Sequence, residues 1–211
     1  MREVTRTVYL FDELSDKAKE TARDWFREGV GTDDWYEAIY EDAAKIGEIL
    51  GIKFKQRPVQ TVGGTTRYEP AILFTGFSSQ GDGACFEGSY SYAKGCAVAL
   101  KAYAPQDEKL AQIAADLVAL QKANGYKLTA TVKHSGHYYH SGSTDIEVCK
   151  GDDYAPADLE QELKDILRRF MDWIYRLLES EYEYLISEES VDENIRCNEY
   201  EFEEDGRRTR F

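Results

Sequence analysis

The three histidines of the chain, His134, His137 and His140, fall within one short stretch. Neutral imidazole is the commonest metal ligand, and three suffice for an open zinc site with water in the fourth place. Alternate residues of an extended strand face opposite ways, so His134 and His140 share a parity that His137 does not. Ser135-Gly136 either bends the chain and gathers the three or simply makes a turn. One reading is a metal-dependent enzyme built on these histidines. The other, which we expect, is a polar hairpin tip over Tyr138 and Tyr139 with no metal or other cofactor.

A glycine-rich loop, FSSQGDGACFEG from Phe77 to Gly88, is the second candidate. It has neither the GxxxxGK[ST] spacing nor a lysine to grip a phosphate, and it does not open a helix as GxGxxG does. Asp82 and Glu87 are too few for an EF-hand. Gly81 and Gly83 suit a tight turn. Loops carry function more often than cores, which makes Gln80, Asp82 and Glu87 candidate partner contacts. No GxSxG, HExxH or CxxC is present, and no catalytic residue is expected.

Acidity is the third feature and the one with most weight. The net charge is −14, and between Asp152 and Asp205 there are 19 acidic residues against 5 basic, which accounts for all of it. From Glu179 to Asp205, 12 acids meet only Arg196. A field of that sign repels nucleic acid and anionic membranes and attracts basic proteins. Interleaved with tyrosine, it can stand in for a phosphate backbone in a basic channel. The candidate contacts are Glu179, Glu181, Tyr182 and Glu183, followed by Glu188, Glu189, Asp192 and Glu193. The expected partner is a host protein with a basic surface, with no direct nucleic-acid binding. The rival reading is a solvated, merely solubilising surface.

These residues need elements to hold them. Glu3 to Phe11 reads as a strand and Ser15 as the cap of a helix that Gly29 ends. Thr32 with Asp33 and Asp34 starts a second helix, whose face is Trp35, Ile39, Ala43, Ile46 and Leu50, before Gly51 stops it. Ile52 to Val62 and Tyr68 to Phe77 read as strands about Gly63-Gly64, followed by a strand over Ala84 to Tyr92. A short helix over Gly95 to Tyr103 precedes an amphipathic one from Asp107 to Asn124. Lys127 to His134 and Thr144 to Cys149 make the hairpin that carries the histidines. Asp158 to Ile186 is the longest helix, with Leu163, Ile166, Phe170, Ile174 and Leu177 on its apolar stripe. A helix over Glu188 to Arg196 and a strand over Glu199 to Glu204 close the chain.

Strands and helices come in blocks, so the expected class is α+β: a mainly antiparallel sheet covered by helices, with a long amphipathic C-terminal helix. One domain over 1–211 is expected, with 152–205 an acidic segment within it. No apolar run approaches the roughly 18–20 residues of a membrane span, and the charged start is no secretory signal. The four cysteines, 11, 53 and 48 positions apart, fit reduced thiols in a cytoplasm.

VYLFDELSDKAKETARDWFREG from Val8 to Gly29 and the glycine-rich loop, with NEYEFEEDG from Asn198 to Gly206, resemble a family of phage- and prophage-encoded proteins sometimes labelled antitoxin-like. The resemblance implies a protein acting inside a bacterial host and supplies no catalytic residues. The expected function is a non-enzymatic inhibitor of a host defence or nucleic-acid-processing complex, of the anti-CRISPR or anti-restriction type. The alternative is an antitoxin that neutralises a cognate toxin.

Overall fold

Residues 6–31, 34–61 and 63–209 are described by the computed structural model. Glu3 of the expected first strand, the Thr32 cap, Asp33 and Val62 lie outside them. The chain divides into two compact units, Glu37–Glu179 and Met1–Tyr36 with Ser180–Phe211.

In the first of these units, five antiparallel strands form the main sheet. In chain order the strands of the molecule are β1 (Tyr9–Leu10), β2 (Ile52–Phe54), β3 (Gln56–Gln60), β4 (Thr66–Pro70), β5 (Ile72–Phe74), β6 (Ala84–Phe86), β7 (Gly88–Ser91), β8 (Leu128–His134), β9 (Thr144–Lys150), β10 (Asp153–Tyr154) and β11 (Glu201–Phe202). The main sheet runs β10-β9-β8-β7-β2, while β3-β4 and β5-β6 are separate antiparallel pairs. The helices are α1 (Asp16–Val30), α2 (Glu37–Leu50), α3 (Cys96–Tyr103), α4 (Glu108–Ala123), α5 (Ala157–Ile186) and α6 (Glu188–Cys197). The α+β class with a long C-terminal helix is therefore what the chain adopts. Among the described residues, no helix is long and apolar enough to cross a membrane.

Period-two patterning sets which face of the sheet is dry. Leu128, Ala130 and Val132 of β8 and Ile146 and Val148 of β9 are buried, while Thr129, Thr131, Lys133, Asp145 and Glu147 face water. The dry face meets α5, whose buried residues include Leu163, Ile166, Leu167, Phe170, Met171 and Ile174. Phe170 lies 6.2 Å from Phe86 and 6.4 Å from Phe54, ring centre to ring centre. Gln121 of α4 is a buried polar residue with its hydrogen bonds made. Its amide donates to the Leu128 carbonyl (2.8 Å) and the Tyr90 hydroxyl (3.2 Å), and accepts from the Leu128 N–H. An unpaired amide at that depth would cost a few kcal/mol, so this set fixes α4 on β7 and β8.

Several boundaries differ from the expected ones. The strand expected over Ile52 to Val62 breaks at Lys55. There the Lys55 N–H donates to the Glu87 carbonyl, the Lys55 carbonyl accepts from Ala71, and Glu87 N–H donates to the Ala71 carbonyl. This three-way junction passes the chain from the main sheet to the smaller pairs. Gly29 does not stop α1, which runs to Val30 with Gly31 as its cap. Trp35 precedes α2 instead of lining its face. The final strand shrinks to β11, because Glu199 takes a positive φ of 50° that extended pairing does not allow. Gly51 ends α2 as expected, with φ +87° and the Ser91 carbonyl where a Cβ would sit.

The other unit has its own core: Phe11, Leu14, Ala18 and Ala22 against Val191, Ile195 and Phe202. β1 pairs antiparallel with β11, Tyr9 opposite Phe202. Ser15 caps α1 by accepting from the Ala18 N–H at 3.3 Å.

Asp107 makes two structural bonds at once. One carboxylate oxygen accepts from the Leu110 N–H (2.9 Å) and caps α4, and the other accepts from the Trp173 indole N–H (2.8 Å) on α5. A cap contributes about 1 kcal/mol and a net hydrogen bond about as much. Asp107→Ala is accordingly expected to lower stability by about 2 kcal/mol in urea titration, and Asp107→Asn by less. A loss below about 0.5 kcal/mol would show that water replaces both bonds.

Candidate interaction site

Helical geometry sorts α6 into rows four residues apart. Val191 and Ile195 are buried in the core of their unit. Glu188, Asp192 and Arg196 form a second row, and this row is internally neutralised. The Arg23 guanidinium of α1 grips the Asp192 carboxylate with two bonds, Nε at 2.6 Å and Nη2 at 2.8 Å. Arg23 also lies 3.7 Å from Glu188, and Arg196 3.6 Å from Asp192 and 2.9 Å from Asp12. These bonds hold the Asp192 carboxyl below the usual range, Arg23 being the largest cause. Asp192 is thus a structural group and not a projecting contact.

Glu189 and Glu193 make up the third row. Both are exposed, and neither has an ion-pair partner among the described residues. Like charges at i and i+4 repel, so this row costs helix stability. Glu183 is exposed near the end of α5 and Glu181 half-buried there, again without a described ion pair. Tyr182 is half-buried, its ring 5.8 Å from that of Trp35. Glu179 falls in the other unit, where Arg176 bonds it at 2.5 Å.

The partners of the second row were not visible to a count along the C-terminal segment, because Arg23 is far away in sequence. Arg6 and Arg207 likewise pair with Glu203, and Arg207 with Asp205. After these pairings the excess persists. Met1–Tyr36 with Ser180–Phe211 holds 20 acidic and 10 basic residues, a net of −10, whereas Glu37–Glu179 holds 20 and 16, a net of −4.

The glycine-rich loop and the histidine hairpin, two separate candidates in the sequence, come together in the fold. A Cβ on Gly83 would sit 2.5 Å from the Cβ of His140, and one on Gly81 3.2 Å from the Tyr138 ring. Only glycine permits this approach. Asp82 shapes the loop from within: its carboxylate accepts from the Ser78 N–H (2.8 Å) and the Ser79 N–H (2.6 Å), which lowers its pKa. Gln80 is exposed at the tip. Glu87 belongs to the strand junction, bonded by the Lys55 ammonium at 2.9 Å and by the His134 N–H at 3.4 Å, and its pKa is lowered with Lys55 the largest cause.

The histidines are held by their own hairpin. His134 Nε2 lies 3.2 Å from the Tyr138 carbonyl, and its ring is 4.8 Å from that of Tyr139. His140 bonds through its backbone to Ser143, and His137 is exposed. Among the described residues, no three His, Cys, Asp or Glu side chains are grouped to hold a metal ion. Cys85, beneath this face, is buried and its thiol is pushed up to about 12 by desolvation, which removes it as a nucleophile near neutrality.

A family model described as a domain of unknown function (DUF8835) matches residues 35–188. The match takes in all of Glu37–Glu179 and Glu181, Tyr182, Glu183 and Glu188, and stops before Glu189, Asp192 and Glu193. No curated protein and no solved structure matches the chain.

Proposed function

The chain belongs to the DUF8835 family of domains of unknown function, and on that premise we propose that it is a non-enzymatic binding protein whose acidic face docks on a basic host surface. The carrying observation is the exposed row of Glu189 and Glu193, with Glu181 and Glu183 nearby in sequence, left without cations in a unit of net charge −10. Unpaired like charges destabilise the element that bears them, so a contact that uses them gives the arrangement a purpose. A basic groove that normally holds a phosphate backbone is the complementary surface. Together with the resemblance to phage and prophage proteins, this supports a role inside a bacterium as an inhibitor of a defence or nucleic-acid-processing complex.

The test follows from which acids are already committed. Glu188 and Asp192 support the fold through Arg23, so the informative variant changes Glu181, Glu183, Glu189 and Glu193 to Gln. We expect it to stay folded and to bind its partner, captured from bacterial lysate by the wild-type protein, with an association rate about tenfold lower at low salt. Wild-type association should itself slow as salt rises, the Debye length being about 8 Å at physiological ionic strength. Duplex DNA should compete for the captured protein. Binding that ignores salt, DNA and the four substitutions would sink the proposal.

A further inference from the structure

Within Glu37–Glu179 the charge sign reverses locally at a cleft between α4 and α5. The cleft has a volume of about 290 Å³ and is lined by Lys109, Gln112 and Ile113 of α4 and by Arg169, Trp173 and Arg176 of α5, with Asp172 beside them. Three cations thus meet one carboxylate, in a chain of net charge −14. Ile113 and Trp173 are 3% and 6% exposed, so the floor is apolar and almost closed.

The floor is also rigid. The Trp173 indole N–H is tied to Asp107 at 2.8 Å, and its ring stacks on Phe170 at 5.6 Å with an interplanar angle of 9°. Arg169 spans the two helices to Asp116 at 2.6 Å, a single contact that leaves guanidinium N–H groups to spare. Arg176 is tied to Glu179 through one nitrogen. Lys109 is exposed and has no ion pair among the described residues.

We infer that this cleft binds a small organic anion with a flat apolar body, the body on Trp173 and Ile113 and the charge at Lys109 and Arg176. The volume sits at the lower end for small-molecule sites, and few polar groups around an apolar floor is their usual chemistry. Charge complementarity selects an anion, and arginine forks suit carboxylate, sulfonate and phosphate alike. This inference is independent of the acidic face.

The probe is 8-anilinonaphthalene-1-sulfonate, with uncharged N-phenyl-1-naphthylamine as control. Binding is followed at the Trp173 indole N–H resonance, assigned with Trp173→Phe. The protein should show one saturable site with a dissociation constant in the micromolar range. The variant Lys109→Gln/Arg176→Gln removes two rim charges but leaves the Arg169 to Asp116 link between the helices intact. It should bind the anion at least tenfold more weakly and the uncharged probe unchanged. Three results would each overturn the inference: no saturable shift at Trp173, equal affinity for both probes, or an anion affinity indifferent to the double substitution.

Discussion

Phe170→Ala is expected to lower the stability of the chain by about 3–5 kcal/mol, the range for deleting a large buried aromatic from a well-packed core. Phe170 is fully buried on the inner side of α5. Its ring touches the rings of Phe54, Phe86 and Trp173, which come from β2, β6 and α5 itself. Truncation would remove three aromatic contacts and open a void lined by groups anchored elsewhere. Trp173 is held by Asp107 and cannot swing to fill the void. Phe86 sits in the β5-β6 pair, opposite Ile72, which is fully buried too. The cost should therefore lie toward the upper end of the range, where neighbours relax least. Denaturant titration checks it, and Phe170→Leu should lose less. A loss below 1 kcal/mol would mean that this stripe of α5 is not the centre of the core.

That stripe was legible because α5 is long and its apolar residues recur every three or four positions, a pattern no other element produces. Ser15 and Asp107 were readable as helix starts for a similarly local reason: a cap bonds within three residues. What escaped the sequence depends on contacts between distant residues. Lys55 carries nothing to mark a strand break, and the break exists because Ala71 and Glu87 compete for its backbone groups. Trp35 has the right spacing for the α2 face, yet it packs on Tyr36 and Tyr182 ahead of the helix.

The candidate site was legible in its charge but not in its pairing. Counting acids from Glu179 onward gave a surface of uniform meaning. The fold separates it into Asp192 and Glu188, held by Arg23, and Glu189 and Glu193, which face water. Asp82 carries the same lesson on a smaller scale. Its carboxylate looked available for a ligand or partner and is spent on the backbone of Ser78 and Ser79.

Arg23→Gln should be the most damaging substitution in the unit that holds α1 and α6, at about 2–3 kcal/mol near pH 7. Breaking a buried ion pair costs about 3–5 kcal/mol, mostly from the charge left behind. The side chains of Arg23 and Asp192 are 16% and 15% exposed, so water reaches the edge of the pair and the lower figure applies. The dependence on pH identifies the cause. Asp192 has a lowered pKa in the folded protein, so its contribution is complete above the ordinary aspartate value of about 3.9 and fades as pH falls through the folded value. In Arg23→Gln that contribution is already gone, and acid protonates the stranded carboxylate. The stability gap between wild type and variant should therefore be widest near neutrality and narrow toward pH 3. Hydrogen exchange at the Val191 and Ile195 amides reads this locally. Asp192→Asn should also destabilise, and the double variant should cost less than the two single losses combined, because neither charge is then left alone. A gap of constant size between pH 7 and pH 3 would show instead that Arg23 acts by packing its stem over Phe11, whose ring its guanidinium carbon approaches to 5.7 Å.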